Sequence, residues 1–252
     1  LSGSKEFKKE RSFNLLEKVS LAHLTGHYPH SLSGGEQQRV ALIRALAPQP
    51  KIMLMDEPFS GLDDRLRDEI RDETFNLLRS EDAAVLMVTH DPQEAMKVAD
   101  EIALMRDGKI LQSGAPYNIY NAPVDLKALQ FFSDANAIQA TLQGSLADTP
   151  FGQFFAPGLS DGTNIDIVFR PQHVRIDFDR KGRGPLPTAS QGIAARGIVK
   201  RARFVGNESL IEFEMDFGVN IKASVPNVFL PNQGHPLWLT IPRDKCYIFP
   251  KS

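Results

Sequence analysis

Leu32-Ser33-Gly34-Gly35-Glu36-Gln37-Gln38-Arg39 decides the reading of this chain. Two adjacent glycines allow close backbone approach, and the polar run behind them opens a helix whose free N–H groups can hold a phosphate. A short apolar strand, Ile52-Met53-Leu54-Met55, follows and ends in Asp56-Glu57. Paired carboxylates at a strand end can hold Mg²⁺ and orient a water. The turn Ser60-Gly61-Leu62-Asp63 comes next, and a second apolar run, Ala84–Thr89, ends at His90 before Asp91-Pro92.

Strands that are apolar at every position are expected to be parallel and covered on both faces. Between them, Asp64–Ser80 reads as a helix with Leu66, Ile70, Leu77 and Leu78 inward. A strand–helix–strand unit brings both strand ends to one edge, the carboxyl edge where open α/β sheets bind ligands. Asp56, Glu57 and His90 are therefore expected to converge.

Working outward, residues 1–30 suggest a helix with Phe13, Leu16, Val19 and Leu24 on its buried stripe. A second helix after Gly35 places Val40, Ile43, Leu46 and Ala47 on one side. Beyond His90, a short helix spans Gln93–Val98. Asp107-Gly108 between apolar runs signals a hairpin, and a helix over Val124–Phe132 closes a first domain, 1–135. From about 136 to 252 the texture changes to period-two alternation: Ile165/Ile167/Phe169, Ile211/Phe213/Met215, Val219/Ile221/Ala223 and Leu237/Leu239/Ile241. This second domain reads as a small all-β barrel. Its longest break, Arg180–Gln191, is rich in Gly, Pro and basic residues and is expected to be mobile.

Composition excludes several classes. With 252 residues, 42% hydrophobic and 24% charged, the chain is an ordinary globular protein of one large or two smaller domains. A net charge of −2 argues against general nucleic-acid binding. The longest apolar runs are too short to cross a bilayer, no signal peptide opens the chain, and the lone Cys246 allows no internal disulfide; cytosolic residence follows as the expectation. His23, His27 and His30 lack a carboxylate or cysteine companion, and Pro29 interrupts their helix, so they do not read as a metal site. No Gly-x-Ser-x-Gly elbow is present, and Gly3-Ser4-Lys5 lacks the earlier glycine and preceding strand of a phosphate loop.

The run LSGGEQQR, then LMDEP, then Ser-Gly-Leu-Asp at 60–63, then His90 closely resembles the second half of an ABC-type ATPase in order and spacing. The resemblance implies a fold: an α/β domain with part of a P-loop NTPase-type sheet, followed by a small all-β OB-like barrel. It also implies roles. Asp56 would support Mg²⁺, Glu57 would polarise the attacking water, and His90 would hydrogen-bond the γ-phosphate of ATP. Ser33, Gly34, Gly35 and Glu36 would contact the ATP of a second subunit across a head-to-tail dimer, and Asp63 would link the two sites. Gly61 stands where the family more often has alanine, and Tyr28-Pro29-His30 matches its run-up to the signature.

Phe169-Arg170-Pro171-Gln172-His173-Val174 resembles the Arg-Pro-Glu motif of the barrel appended to importer ATPases, the transport-associated (TOBE) domain. Arg196–Val199 through Gly206 resembles its later strand. The tail of the first domain is most similar to the ferric-iron, polyamine and sulfate importer subgroup. That resemblance implies a subunit coupling ATP hydrolysis to solute uptake at the cytoplasmic face of the inner membrane. It would be a homodimer under integral-membrane permease subunits, served indirectly by a periplasmic or extracellular solute-binding protein, with no nucleic acid.

The family's earlier landmarks, among them the Gly-x-x-x-x-Gly-Lys phosphate loop, do not occur in these residues, and the first residue is Leu. The expectation is a truncated chain, inactive alone, with exposed sheet edges. The alternatives are a non-transport ATPase, which the barrel opposes, and a non-enzymatic interaction module retaining the signature and barrel.

Overall fold

The computed structural model describes residues 4–60, 63–178, 182–190 and 192–251, with the side chains of 64–66 excepted. Gly3, Gly61, Leu62, the side chain of Leu66, and Arg180, Lys181 and Gln191 of the long break lie outside the described residues. The chain packs as two compact units, Leu1–Asp100 and Glu101–Ser252. The division expected at 135/136 falls inside the second.

In the first unit, helix α1 (Lys5–Lys18) is capped by Ser4, whose Oγ accepts from the Phe7 N–H at 3.2 Å. Helix α2 (Gly34–Leu46), strand β1 (Ile52–Asp56), helix α3 (Asp64–Ser80), strand β2 (Ala84–Val88) and helix α4 (Pro92–Val98) follow. The two strands pair in parallel, Ile52 beside Ala84 through Asp56 beside Val88, with α3 as the crossover that a parallel pair requires.

Leu15, Val19 and Leu21 pack with Ile43, Leu46, Met53, Met55, Leu77 and Leu78 into one core. Of the expected stripe, Val19 is in this core and Leu16 and Leu24 pack against it, but Phe13 is exposed and Leu15 is buried in its place, a correction.

The second correction concerns the sheet. Met53 and Met55 face the helices, but Leu54 is 72% and Leu86 62% exposed, and Ile52 and Val88 are exposed beside them. Helices α1, α2 and α3 all contribute to the core on one side, and no described element covers the other. An apolar run states that both faces can be buried; only packing partners decide whether they are.

The second unit opens with a hairpin, β3 (Ile102–Arg106) and β4 (Lys109–Gly114), whose two-residue loop places Asp107 at φ +51° and Gly108 at φ +73°, the type I′ geometry of Asp-Gly. Helices α5 (Pro116–Asn121) and α6 (Leu126–Phe132) follow; α5 has no counterpart in the sequence reading.

Ten strands follow: β5 (Asn136–Gln143), β6 (Leu146–Thr149), β7 (Gly152–Phe155), β8 (Asn164–Phe169), β9 (Arg175–Phe178), β10 (Ala195–Phe204), β11 (Glu208–Met215), β12 (Asn220–Pro226), β13 (Pro236–Thr240) and β14 (Cys246–Pro250). They form two five-stranded sheets, ordered β12-β11-β10-β13-β9 and β14-β8-β5-β6-β7. All pairings are antiparallel. The curled sheets enclose a single core, the OB-like barrel. Eleven of the twelve alternating residues picked from the sequence are in that core, and Val219 packs against it. In the break expected to be mobile, Gly184 packs close to Trp238: a Cβ there would sit 2.5 Å from the indole, so only glycine fits.

Candidate functional site

The site is built at the carboxyl end of β1. Asp56 is the last strand residue, exposed and level with Val88. Glu57 continues the ladder by donating its N–H to the Val88 carbonyl at 2.8 Å, yet it adopts φ +43°. The left-handed region costs a non-glycine residue about 1–2 kcal/mol. The following turn holds it there. The Ser60 N–H and Oγ both donate to the Glu57 carbonyl, at 3.1 and 2.9 Å, and Phe59 is buried with its ring centroid 6.4 Å from that of Phe75.

His90 leaves β2 on the same edge, and its Nδ1 lies 2.8 Å from Glu57 Oε1. An ionised carboxylate accepts only, so a contact to ionised Glu57 requires the Nδ1–H form of the ring. The histidine and glutamate side chains are 74% and 43% exposed, leaving Oε2 and the far ring nitrogen open to a ligand or a water. The convergence expected of Asp56, Glu57 and His90 is thus present, with Glu57 and His90 in direct contact.

The signature residues form a cluster of their own. Ser33 caps α2, its Oγ accepting from the Glu36 N–H at 3.4 Å, while the Ser33 N–H donates to Glu36 Oε2 at 2.7 Å. This reciprocal capping box explains why Ser and Glu stand three apart. The hydrogen bond from the Ser33 backbone, and then that from its hydroxyl, hold the Glu36 carboxyl below its ordinary range. Gly34 opens the helix with no atom within 4 Å of where a Cβ would stand, so its face is clear for an anion. Gly35 is buried. Asp63 is exposed ahead of α3, and its carbonyl accepts from the Arg67 N–H at 2.8 Å.

Three contacts here were not picked out from the sequence. Gln38 Nε2 donates to the Pro58 carbonyl at 2.9 Å, tying the signature helix to the turn after Glu57. Arg39 pairs with Glu73 of α3 at 3.2 Å. Thr89 Oγ1 donates to Glu94 at 2.7 Å behind His90. Gln38 lies inside the quoted run, but its partner is twenty residues away and has no local signature.

The donor set suits Mg²⁺, which takes hard oxygen ligands and binds through one or two carboxylates plus substrate phosphates instead of a closed protein cage. Asp56 and Glu57 supply such oxygens. Among the described residues no group of three or more His, Cys, Asp or Glu could by itself hold a metal, and His23, His27 and His30 do not form one. Burial pushes the Cys246 thiol up to about 12, which leaves it protonated and unreactive. No helix of the described residues is long and apolar enough to cross a membrane.

Known proteins resemble this chain in both of its halves. The family model for ABC transporters matches residues 5–60 and that for the TOBE domain matches 167–249. A Fe(3+) ions import ATP-binding protein, FbpC, of Serratia marcescens is 41% identical over 223 residues, covering 83% of this chain and 65% of the relative. FbpC of Pseudomonas fluorescens is 38% identical over 209 residues, 82% of this chain and 56% of the relative. A spermidine/putrescine import ATP-binding protein, PotA, of Mesorhizobium japonicum is 35% identical over 219 residues, 83% and 57%. The chain thus spans between half and two thirds of the curated relatives it matches. A solved ATP-binding cassette of an ABC transporter in its ADP conformation overlays on 52% of each chain at 26% identity and a TM-score of 0.45.

Proposed function

Since the chain belongs to the importer-type ABC ATPases that carry a TOBE domain, we propose that it supplies one half of a composite ATP-hydrolysing site in a solute importer. The observation that carries the reading is the 2.8 Å contact between His90 Nδ1 and Glu57 Oε1 beside Asp56.

Glu57 takes a proton from the attacking water, with His90 donating from Nδ1 to hold the carboxylate in place and, when doubly protonated, donating from its far ring nitrogen to the γ-phosphate. Asp56 would hold Mg²⁺, which supplies charge neutralisation on the phosphate oxygens. Ser33, Gly34, Gly35 and Glu36 face the nucleotide of a second subunit in a head-to-tail homodimer, where the α2 N–H groups favour the γ-phosphate, and Asp63 bridges the two sites. The ATPase part extends to residue 135 and the barrel from 136 to 252. The working protein sits at the cytoplasmic face of the inner membrane under permease subunits that receive solute from a binding protein. Ferric iron or a polyamine is the solute class, supported by the names of the relatives. These 252 residues contain no Gly-x-x-x-x-Gly-Lys loop, so by themselves they bind Mg-ATP weakly and do not turn it over.

The test is a chimera in which this chain replaces the matching segment of the Serratia relative. Phosphate release is expected, reduced about 10²–10⁴-fold by Glu57→Gln. A chimera that folds and binds nucleotide but hydrolyses none would overturn the proposal.

A further inference from the structure

We propose that Glu94 is a positioning residue for His90: acting through Thr89, it fixes the end of β2 so that the imidazole meets Glu57. The inference rests on the reading above, in which that pair handles the water and the γ-phosphate.

His90 and Glu57 are both largely exposed, so packing does not hold them face to face; backbone placement must. The backbone on either side of His90 converges on one hydroxyl. Thr89 Oγ1 donates to Glu94 Oε2 at 2.7 Å and accepts from the Asp91 N–H at 3.0 Å. A hydroxyl has one proton, and giving it to Glu94 leaves its lone pairs for Asp91. Glu94 is 5% exposed, the one acidic residue of this unit in the buried class among the described residues.

The turn is anchored in two further ways. Asp91 Oδ1 accepts from the Gln93 and Glu94 N–H groups at 2.8 and 3.4 Å, capping α4. Lys97 of α4 reaches Asp68 of α3 at 3.0 Å. A buried carboxylate without a donor is expensive, so Glu94 holds Thr89 in one rotamer. Removing it frees the hydroxyl to turn away from Asp91 and lets the His90 backbone relax.

The experiment is long-range ¹⁵N–¹H spectroscopy of the chain with labelled histidine, at about pH 8.5, where an ordinary imidazole (about 6.5) is neutral. The His90 signals are assigned from His90→Gln. In the native chain His90 is expected as the Nδ1–H tautomer. Glu57→Ala should shift it to the mixture of a free imidazole, and Glu94→Ala and Thr89→Val should shift it the same way. Glu94→Gln, whose amide oxygen still accepts from Thr89, should restore much of the native signature. A purely structural role would lower the melting temperature without moving these signals. Thr89→Val is close to isosteric and carries the test if Glu94→Ala does not fold. Folded Thr89→Val or Glu94→Ala chains with the native His90 signature would overturn the inference. An unmoved signature in Glu57→Ala would instead overturn the pair itself, and the inference with it.

Discussion

The guanidinium carbon of Arg170 lies 3.7 Å over the ring of Tyr120. Arg170 is fully buried, with Nε on Ser133 Oγ at 2.8 Å, Nη1 on the Tyr247 hydroxyl at 2.7 Å and Nη2 on the Tyr120 carbonyl at 2.6 Å. Its hydrogen-bond partners among the described residues are neutral. One side chain thereby joins the end of α5 and the residue after α6 to β8 and β14. This gives the arginine of the Phe169–Val174 motif a mechanical role inside the second unit.

Arg170→Met keeps the apolar stem but strands two hydroxyls and a carbonyl. A loss of about 3–5 kcal/mol is expected, from unpaired buried polar groups and the lost stacking. Arg170→Lys should fall between, since a point charge cannot reproduce the fork. Denaturant midpoints of the second unit check this; a change below about 1 kcal/mol in Arg170→Met would remove the residue from that role.

Adjacent residues of β1 should respond in opposite ways. Met53 is buried against the helices, so Met53→Ala should cost about 2–5 kcal/mol. Leu54 faces outward, so Leu54→Thr should leave stability within about 0.5 kcal/mol while reducing binding of an apolar dye such as ANS. Equal destabilisation by the two would mean that the bare face is covered in solution.

Glu81 closes the end of α3 onto α1 through Arg11 and, at 2.6 Å, Lys18 Nζ. The Arg11 hydrogen bond above all holds its carboxyl below the ordinary 4.5. A depressed folded value stabilises above the unfolded value and loses that contribution as pH falls through the folded one. Glu81→Gln should therefore melt below the parent chain at pH 7, with the gap closing as pH falls below 4.5. A gap that stays constant down to about pH 3 would show that the ion pair contributes nothing through Glu81 ionisation.

Several features with short-range rules were legible in the sequence. The alternation of Ile211, Phe213 and Met215 marks an inward face because a strand turns its side chains over with every residue. The hairpin at Asp107-Gly108 follows from the same kind of short-range rule. The strand–helix–strand reading of Ile52–His90 also predicted that Asp56, Glu57 and His90 would meet, since a parallel pair joined by one helix leaves little choice of edge.

Tertiary structure alone decided the rest, because those features depend on partners far away in the chain. Whether Ile52, Leu54, Leu86 and Val88 are covered depends on which elements reach that face, and period cannot report it. Phe13 and Leu15 are both apolar on one helix, and only the position of the core selects Leu15. The motif around Arg170 marks the residue, but only Ser133, Tyr120 and Tyr247, brought together by the fold, show what it holds. A side chain's type states what it can bond or bury; the chain must close around it before either happens.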